Sequence, residues 1–98
     1  MDSKIVAGFD WDESNREKCQ KNGVTIVEIE SVFAGTPAIG SDAAHSTAET
    51  RFLAIGRASS GRHVFLAFKW RDRNDTNLIR VISARYMHAK EVEHYERG

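Results

Sequence analysis

The residues in this sequence that could do chemistry are mostly cations. Between Arg51 and Lys90 stand nine basic residues, with only Asp72 and Asp75 as acidic counterparts. Arg62 opens an apolar run, RHVFLAFKWR, that Lys69 and Arg71 close, while Arg80 and Arg85 flank IRVISAR. His88 and Lys90 follow three and five residues after Arg85. Cleaving RNA without a metal needs fixed cations to stabilise a dianionic phosphorane. It also needs proton transfer at the 2′-oxygen and at the leaving 5′-oxygen. Arginine suits the first task because its planar fork grips two phosphate oxygens. Histidine suits the second because it exchanges protons near neutral pH. The other chemistries lack their parts. There is no glycine-rich phosphate loop, no CxxC pair and no HExxH, and the histidines stand at 45, 63, 88 and 94. His88 and His94 are too far round a helix to share a metal, so neither a metal site nor a cofactor is expected. Nothing marks a nucleophile for a Ser–His–Asp arrangement.

Each cation also has a plainer reading. Arg80 could pair with an acidic residue such as Asp42 or Glu49, and His88 could be an ordinary surface residue at a helix start. Trp70 and Tyr86 could be packed rings instead of platforms for unstacked bases. The whole basic strip could simply guard a sheet edge against aggregation.

The formal net charge of zero hides a segregation. Residues 1–49 hold four basic and nine acidic side chains, and residues 50–98 hold ten basic and five acidic ones. Such asymmetry points to an anionic partner, nucleic acid first among them. With 98 residues the chain is expected to form one domain over 1–98. A single cysteine, Cys19, excludes an internal disulfide framework and fits a reducing compartment. No apolar run approaches the ~20 residues of a membrane span, and MDSKIVAGFD lacks a signal peptide's apolar stretch. The expected location is the cytoplasm, with no membrane partner.

The elements that must position these residues follow from pattern. Residues 4–9 read as a short strand. Asp12 as N-cap and Gly23 as stop frame a helix over about 13–22, with Cys19 its only clear core residue. Thr25 and Glu28 are spaced as a capping box for a second helix. Its Ile26, Ile29, Val32 and Phe33 share one face. The stretch 34–44, with Pro37, reads as a loop. Residues 51–58, 62–71 and 78–84 read as strands joined by the turns SSG (59–61) and DRNDTN (72–77). Val64, Leu66, Phe68 and Trp70 should lie under the helices, with His63, Phe65, Ala67, Lys69 and Arg71 on the other face. Arg80 and Arg85, five apart, should lie on opposite faces. Residues 88–98 read as a short charged helix. The predicted fold is α+β: two N-terminal helices, a three- to four-stranded antiparallel sheet and a C-terminal helix. The sheet's second face should stay largely uncovered, open to a partner's acidic amphipathic segment, unless the tail helix folds back over it.

Taken together, FDWDESNREKCQKNGVTIVEIESVF (9–33), RFLAIGR (51–57), SGR…VFLAF (60–68) and IRVISAR…HAKEVEHYE (79–96) resemble the BrnT family of bacterial toxins. The resemblance covers most of the chain outside 34–50. It implies a RelE-like ribonuclease, the toxin of a type II toxin–antitoxin system that degrades RNA and arrests growth. The implied partner is a BrnA-like antitoxin with a ribbon–helix–helix part, in a two-plus-two complex that meets operator DNA only through the antitoxin. Trp11 and Asp12 match the family's WD pair. Lys21, Gly23 and Val24 match its K-H-G-V, Arg85 the arginine of its I-S-A-R, and Lys90 and Glu91 the K-E that follows. Asn22 stands where the family has histidine, Cys19 where asparagine is frequent, and the 11–23 segment is one residue short. The first expectation is therefore a metal-independent endoribonuclease. Arg85, Arg80 and Arg62 would hold the scissile phosphate and His88 would move protons, with Lys69, Arg71, Lys90 and Lys21 on the RNA backbone. The alternatives are a non-catalytic RNA- or protein-binding module and an inactive toxin relic that binds its antitoxin.

Overall fold

The computed structural model describes residues 6–42, 44 and 50–97. Its elements run β1 (Val6–Phe9), α1 (Glu13–Gln20), α2 (Ile26–Ala34), β2 (Ala38–Ser41), β3 (Phe52–Arg57), β4 (His63–Arg73), β5 (Thr76–Tyr86) and α3 (Ala89–Glu96). The strands form one sheet in the order β1-β5-β4-β3-β2. The fold class is α+β as expected, but the sheet has five strands and is mixed. β1 pairs parallel with β5, and β2 adds an edge within the stretch read as a loop. That stretch lacks alternation and holds a proline, so the strand comes from pairing with β3 and not from local propensity. Lys4 and Ile5, the start of the predicted first strand, lie outside the described residues.

Both N-terminal helices begin as their caps dictate. The Asp12 carboxylate accepts from the Asn15 N–H at 3.1 Å, and Asn15 Oδ1 accepts from the Asp12 N–H at 2.7 Å. Thr25 and Glu28 make the same reciprocal pair. The two helices carry the chain from one sheet edge to the other and cover one face. Under them Cys19, Val24, Ile29 and Val32 meet Val64, Leu66, Phe68, Ile79, Val81 and Ala84, all nearly free of solvent contact. Gly56 is required at this joint, because a Cβ there would lie 2.9 Å from Val32 Cγ1 and 3.3 Å from Pro37 Cβ.

Two irregularities steer the functional side chains. Asn74 and Asp75, with φ of 51° and 64°, close β4 and β5 as a two-residue turn, so the hairpin runs longer than the polar DRNDTN suggests. Further along, Phe68 pairs with Val81 but Ala67 pairs with Ser83, leaving Ile82 as a bulge. A bulge shifts the alternation by one residue. Arg80 thus stands across from Lys69 and Arg85 across from Phe65, both on the face away from α1 and α2. The expectation of opposite faces fails for that reason. α3 folds back over this same face, where His63 meets the Tyr95 ring edge-on at 5.8 Å and Glu96 at 3.5 Å. The second face is therefore partly closed by the chain itself.

Candidate active site

The predicted cations fall into three groups, distinguished by what neutralises them. The first surrounds Asp10, a 9 % exposed residue just beyond β1. Its Oδ2 lies 3.4 Å from Arg80 Nη1, 3.3 Å from Arg73 and 4.0 Å from Arg71 Nε. Arg80 also reaches Asp12 Oδ2 at 3.0 Å. Asp12 is held below its ordinary carboxylate range chiefly by the Asn15 backbone N–H, against some burial and with help from Arg80. Asn15 ties the corner down, donating from Nδ2 to the Asp10 carbonyl at 3.0 Å and the Val81 carbonyl at 3.1 Å. Lys69 stands across from Arg80 on the neighbouring strand. Arg80 pairs with acids as its plainer reading expected, the partners being Asp10 and Asp12; Glu49 lies outside the described residues.

The second group sits under α3. Arg85 lies over the Phe65 ring at 4.7 Å and grips Glu91 with two parallel bonds of 2.8 Å each. Glu91 also accepts from the His88 N–H at 2.8 Å, the N-terminal bond of α3. The Arg85 bond and then the His88 N–H hold its carboxyl down at about 2. His88 itself is the exposed N-cap of α3, and Lys90 is exposed two residues on. Lys90, Glu91, His94 and Tyr95 of α3 share an open cavity of about 530 Å³ with Ile55, Phe65 and Met87.

The third group lies at the same end of the sheet on the opposite, helix-bearing face. The Arg62 guanidinium stacks 3.4 Å over the Tyr86 ring. The Tyr86 hydroxyl donates to Glu28 Oε1 at 2.6 Å and shares its proton with the Gly23 carbonyl at 3.2 Å. Glu28, 7 % exposed, further accepts from the Thr25 N–H and hydroxyl and from Ser60 Oγ at 2.5 Å. Burial pushes the Glu28 carboxyl up, but the Ser60, Tyr86 and Thr25 bonds outweigh it and hold it at about 2. The Glu28 bond in turn raises Tyr86 above its ordinary phenol range. Among the described residues no carboxylate lies within ion-pair distance of Arg62. Asn22 Nδ2 donates to the Ala84 carbonyl at 3.2 Å, so the residue in the histidine position fastens the α1–α2 turn to β5. Lys21 is exposed at the end of α1.

Sequence reasoning found the cations and missed their supports. Glu28 reads as a cap, and only its place beside a helix N-terminus hints at a second use. Ser60 reads as a turn residue and Asp10 carries no motif. Among the described residues no three of His, Cys, Asp and Glu gather as a metal site would require, and no helix is long and apolar enough to cross a membrane.

Stacked and forked arginines at one end of a small α+β sheet have the chemistry that recognises phosphate groups. The family model of BrnT, the ribonuclease toxin of type II toxin–antitoxin systems, matches residues 11–91, and the chain belongs to that family. Its class of substrate is RNA and its partner an antitoxin. No curated protein matches the chain.

Proposed function

We propose that the chain, as one toxin domain over 1–98, is a metal-independent endoribonuclease acting in the cytoplasm, with its phosphate-binding centre at Arg62. The observation that carries this reading is the Arg62 guanidinium, stacked on Tyr86 and free of carboxylates among the described residues. A fork held over a ring that is itself anchored to Glu28, which Ser60 also fastens, is preorganised for a phosphate. In the reaction the 2′-oxygen loses its proton and bonds to phosphorus, the bond to the 5′-oxygen breaks, and that oxygen takes a proton. Arg62 would stabilise the charge that builds on the non-bridging oxygens. Glu28, saturated with donors and held at about 2, is too weak a base for the 2′-hydroxyl and acts as an anchor. His88, exposed at the same end of β5, is the candidate proton carrier.

Arg85, at the same end of the sheet but on its other face, would take a neighbouring phosphate of the RNA once it displaces Glu91, and Lys21, Lys69, Arg71 and Lys90 attract the RNA backbone. Arg80, already held by Asp10 and Asp12, keeps a structural role in this reading. The antitoxin is taken to be BrnA-like, with a ribbon–helix–helix part, in a two-plus-two complex. The test is cleavage of a defined RNA by the purified chain in excess chelator, beside Arg62→Ala. Chelator-resistant cleavage lost in the variant supports the reading, and cleavage restored only by added magnesium or zinc overturns it.

A second reading, a chain that only binds its antitoxin, draws on Asn22 being committed to the Ala84 carbonyl and on Arg80 and Arg85 being engaged by carboxylates. Antitoxin binding without any RNA cleavage would favour it.

A further inference from the structure

Two features meet at the outer edge of the sheet. Among the described residues β2 is paired on one side only, by β3, and all four of its residues are exposed. The Asp42 N–H donates to the Arg51 carbonyl at 2.8 Å, which fixes the alternation of this ladder. Ala38 and Gly40 therefore turn their backbone groups toward β3, and Ile39 and Ser41 turn theirs outward. Sheets ordinarily guard such an edge with charge, a bulge or an inserted proline. AIGS is protected only by its shortness: its four residues carry no charge, bulge or proline, and Pro37 precedes the strand. Beside the edge lies an open apolar cavity of about 600 Å³, walled by Phe33, Ile39, Phe68 and Trp70 among others. Its one ionisable lining residue is Glu30, whose Oε2 accepts from Trp11 Nε1 at 2.9 Å.

We infer that this edge and cavity together receive an extended segment of the antitoxin, added as a strand beside β2. Its main chain pairs with the outward groups of Ile39 and Ser41, its alternate apolar side chains enter the cavity, and a cationic side chain lies near Glu30. A second copy of this chain fits less well. Pairing through β2 itself would bring only Ile39 as a large side chain, since Ala38, Gly40 and Ser41 are small. The cavity is of a size that takes several such groups. A small molecule could occupy the cavity but would leave the strand edge unpaired. The neutral edge and the acid at Glu30 also distinguish this segment from the acidic one that the basic face would attract. None of Arg62, Arg80 and Arg85 lines the cavity. The inference rests on the family, which supplies the antitoxin, and not on the nuclease reading.

The experiment titrates the full chain with its cognate antitoxin by calorimetry and follows hydrogen–deuterium exchange with and without it. Ser41→Pro removes an outward N–H without touching the β3 ladder, and Ile39→Asp places a charge at the cavity mouth. Each variant is expected to weaken the complex about tenfold or more, as truncation of a central anchor does, while RNA cleavage by the free chain stays unchanged. The Ile39 and Ser41 amides should gain protection on binding. Unchanged affinity in both variants, or protection confined to the α3 side of the sheet, overturns the proposal. So does a homodimer of the free chain that Ser41→Pro dissociates, which would give the edge to a second copy. Should Ile39→Asp fail to fold, Ser41→Pro and the amide protection decide alone. A wild-type chain that cleaves no RNA yet shows these binding effects defeats the nuclease reading and leaves this one standing.

Discussion

Arg62, just before β4, and Arg80, on the adjoining β5, are the same residue type, yet the fold uses them in opposite ways. Arg80 is 17 % exposed at its side chain and lies between two aspartates. Arg62 is exposed, rests on a tyrosine, and has its nearby carboxylate occupied by that tyrosine's hydroxyl. A guanidinium held by acids spends its donors inside the protein, whereas one held by a ring keeps its donors for a ligand. Counting cations along the chain therefore finds the basic half but not the site.

The comparison breaks most sharply under substitution. Arg62→Ala should slow RNA cleavage by about 100-fold, equivalent to about 3 kcal/mol of lost charge stabilisation, with the melting temperature unchanged. Arg80→Ala should do the reverse, removing charged hydrogen bonds from Asp10 and Asp12 at about 2 kcal/mol of folding stability while cleavage persists. Denaturant melts and single-turnover assays on both variants measure the two effects, and a slow but stable Arg80→Ala would invert the assignment. Tyr86→Phe keeps the ring under Arg62 but removes its anchor. It should lower the melting temperature slightly and lower cleavage less than loss of the arginine does.

The third arginine gives an intermediate case. Glu91→Ala frees Arg85 while leaving Phe65 beneath it, and RNA should bind about threefold more tightly in low salt. Filter binding across a salt series checks this, since an added phosphate contact steepens the salt dependence. The smallest test uses acid. Glu28 and Glu91 both ionise near 2 when folded, against 4.5 for an unperturbed glutamate, so the unfolded chain binds protons first. Their stabilisation is complete above 4.5 and is lost as pH falls toward 2. Glu28→Gln should flatten that acid limb in a pH series of melts.

Much of this fold was legible because local signals and tertiary structure agree. Asp12 and Thr25 start helices where their side chains can cap them, and Val64, Leu66 and Phe68 alternate into the core. What escaped the sequence is what depends on partners far along the chain. β2 exists because β3 lies beside it, and the Ile82 bulge, which carries Arg85 round to the Arg80 face, has no residue signature of its own. The same holds at the site. Arg62 is readable as a candidate, but the Tyr86 ring beneath it and the Glu28 that anchors that ring stand 24 and 34 positions away, and no spacing rule connects them.

Cys19 has a practical consequence. Its thiol is fully covered, donates to the Val81 carbonyl at 3.5 Å, and is pushed up to about 11 by burial. A thiolate is needed for attack on a labelling reagent, so in the closed molecule this sulfur is chemically silent. It reacts only when α1 lifts from β5, and with no second cysteine in the sequence every labelling event reports that one opening. The chain thus carries a built-in clock for the detachment of its own first helix, readable by mass spectrometry in free, RNA-bound and antitoxin-bound protein without adding a probe.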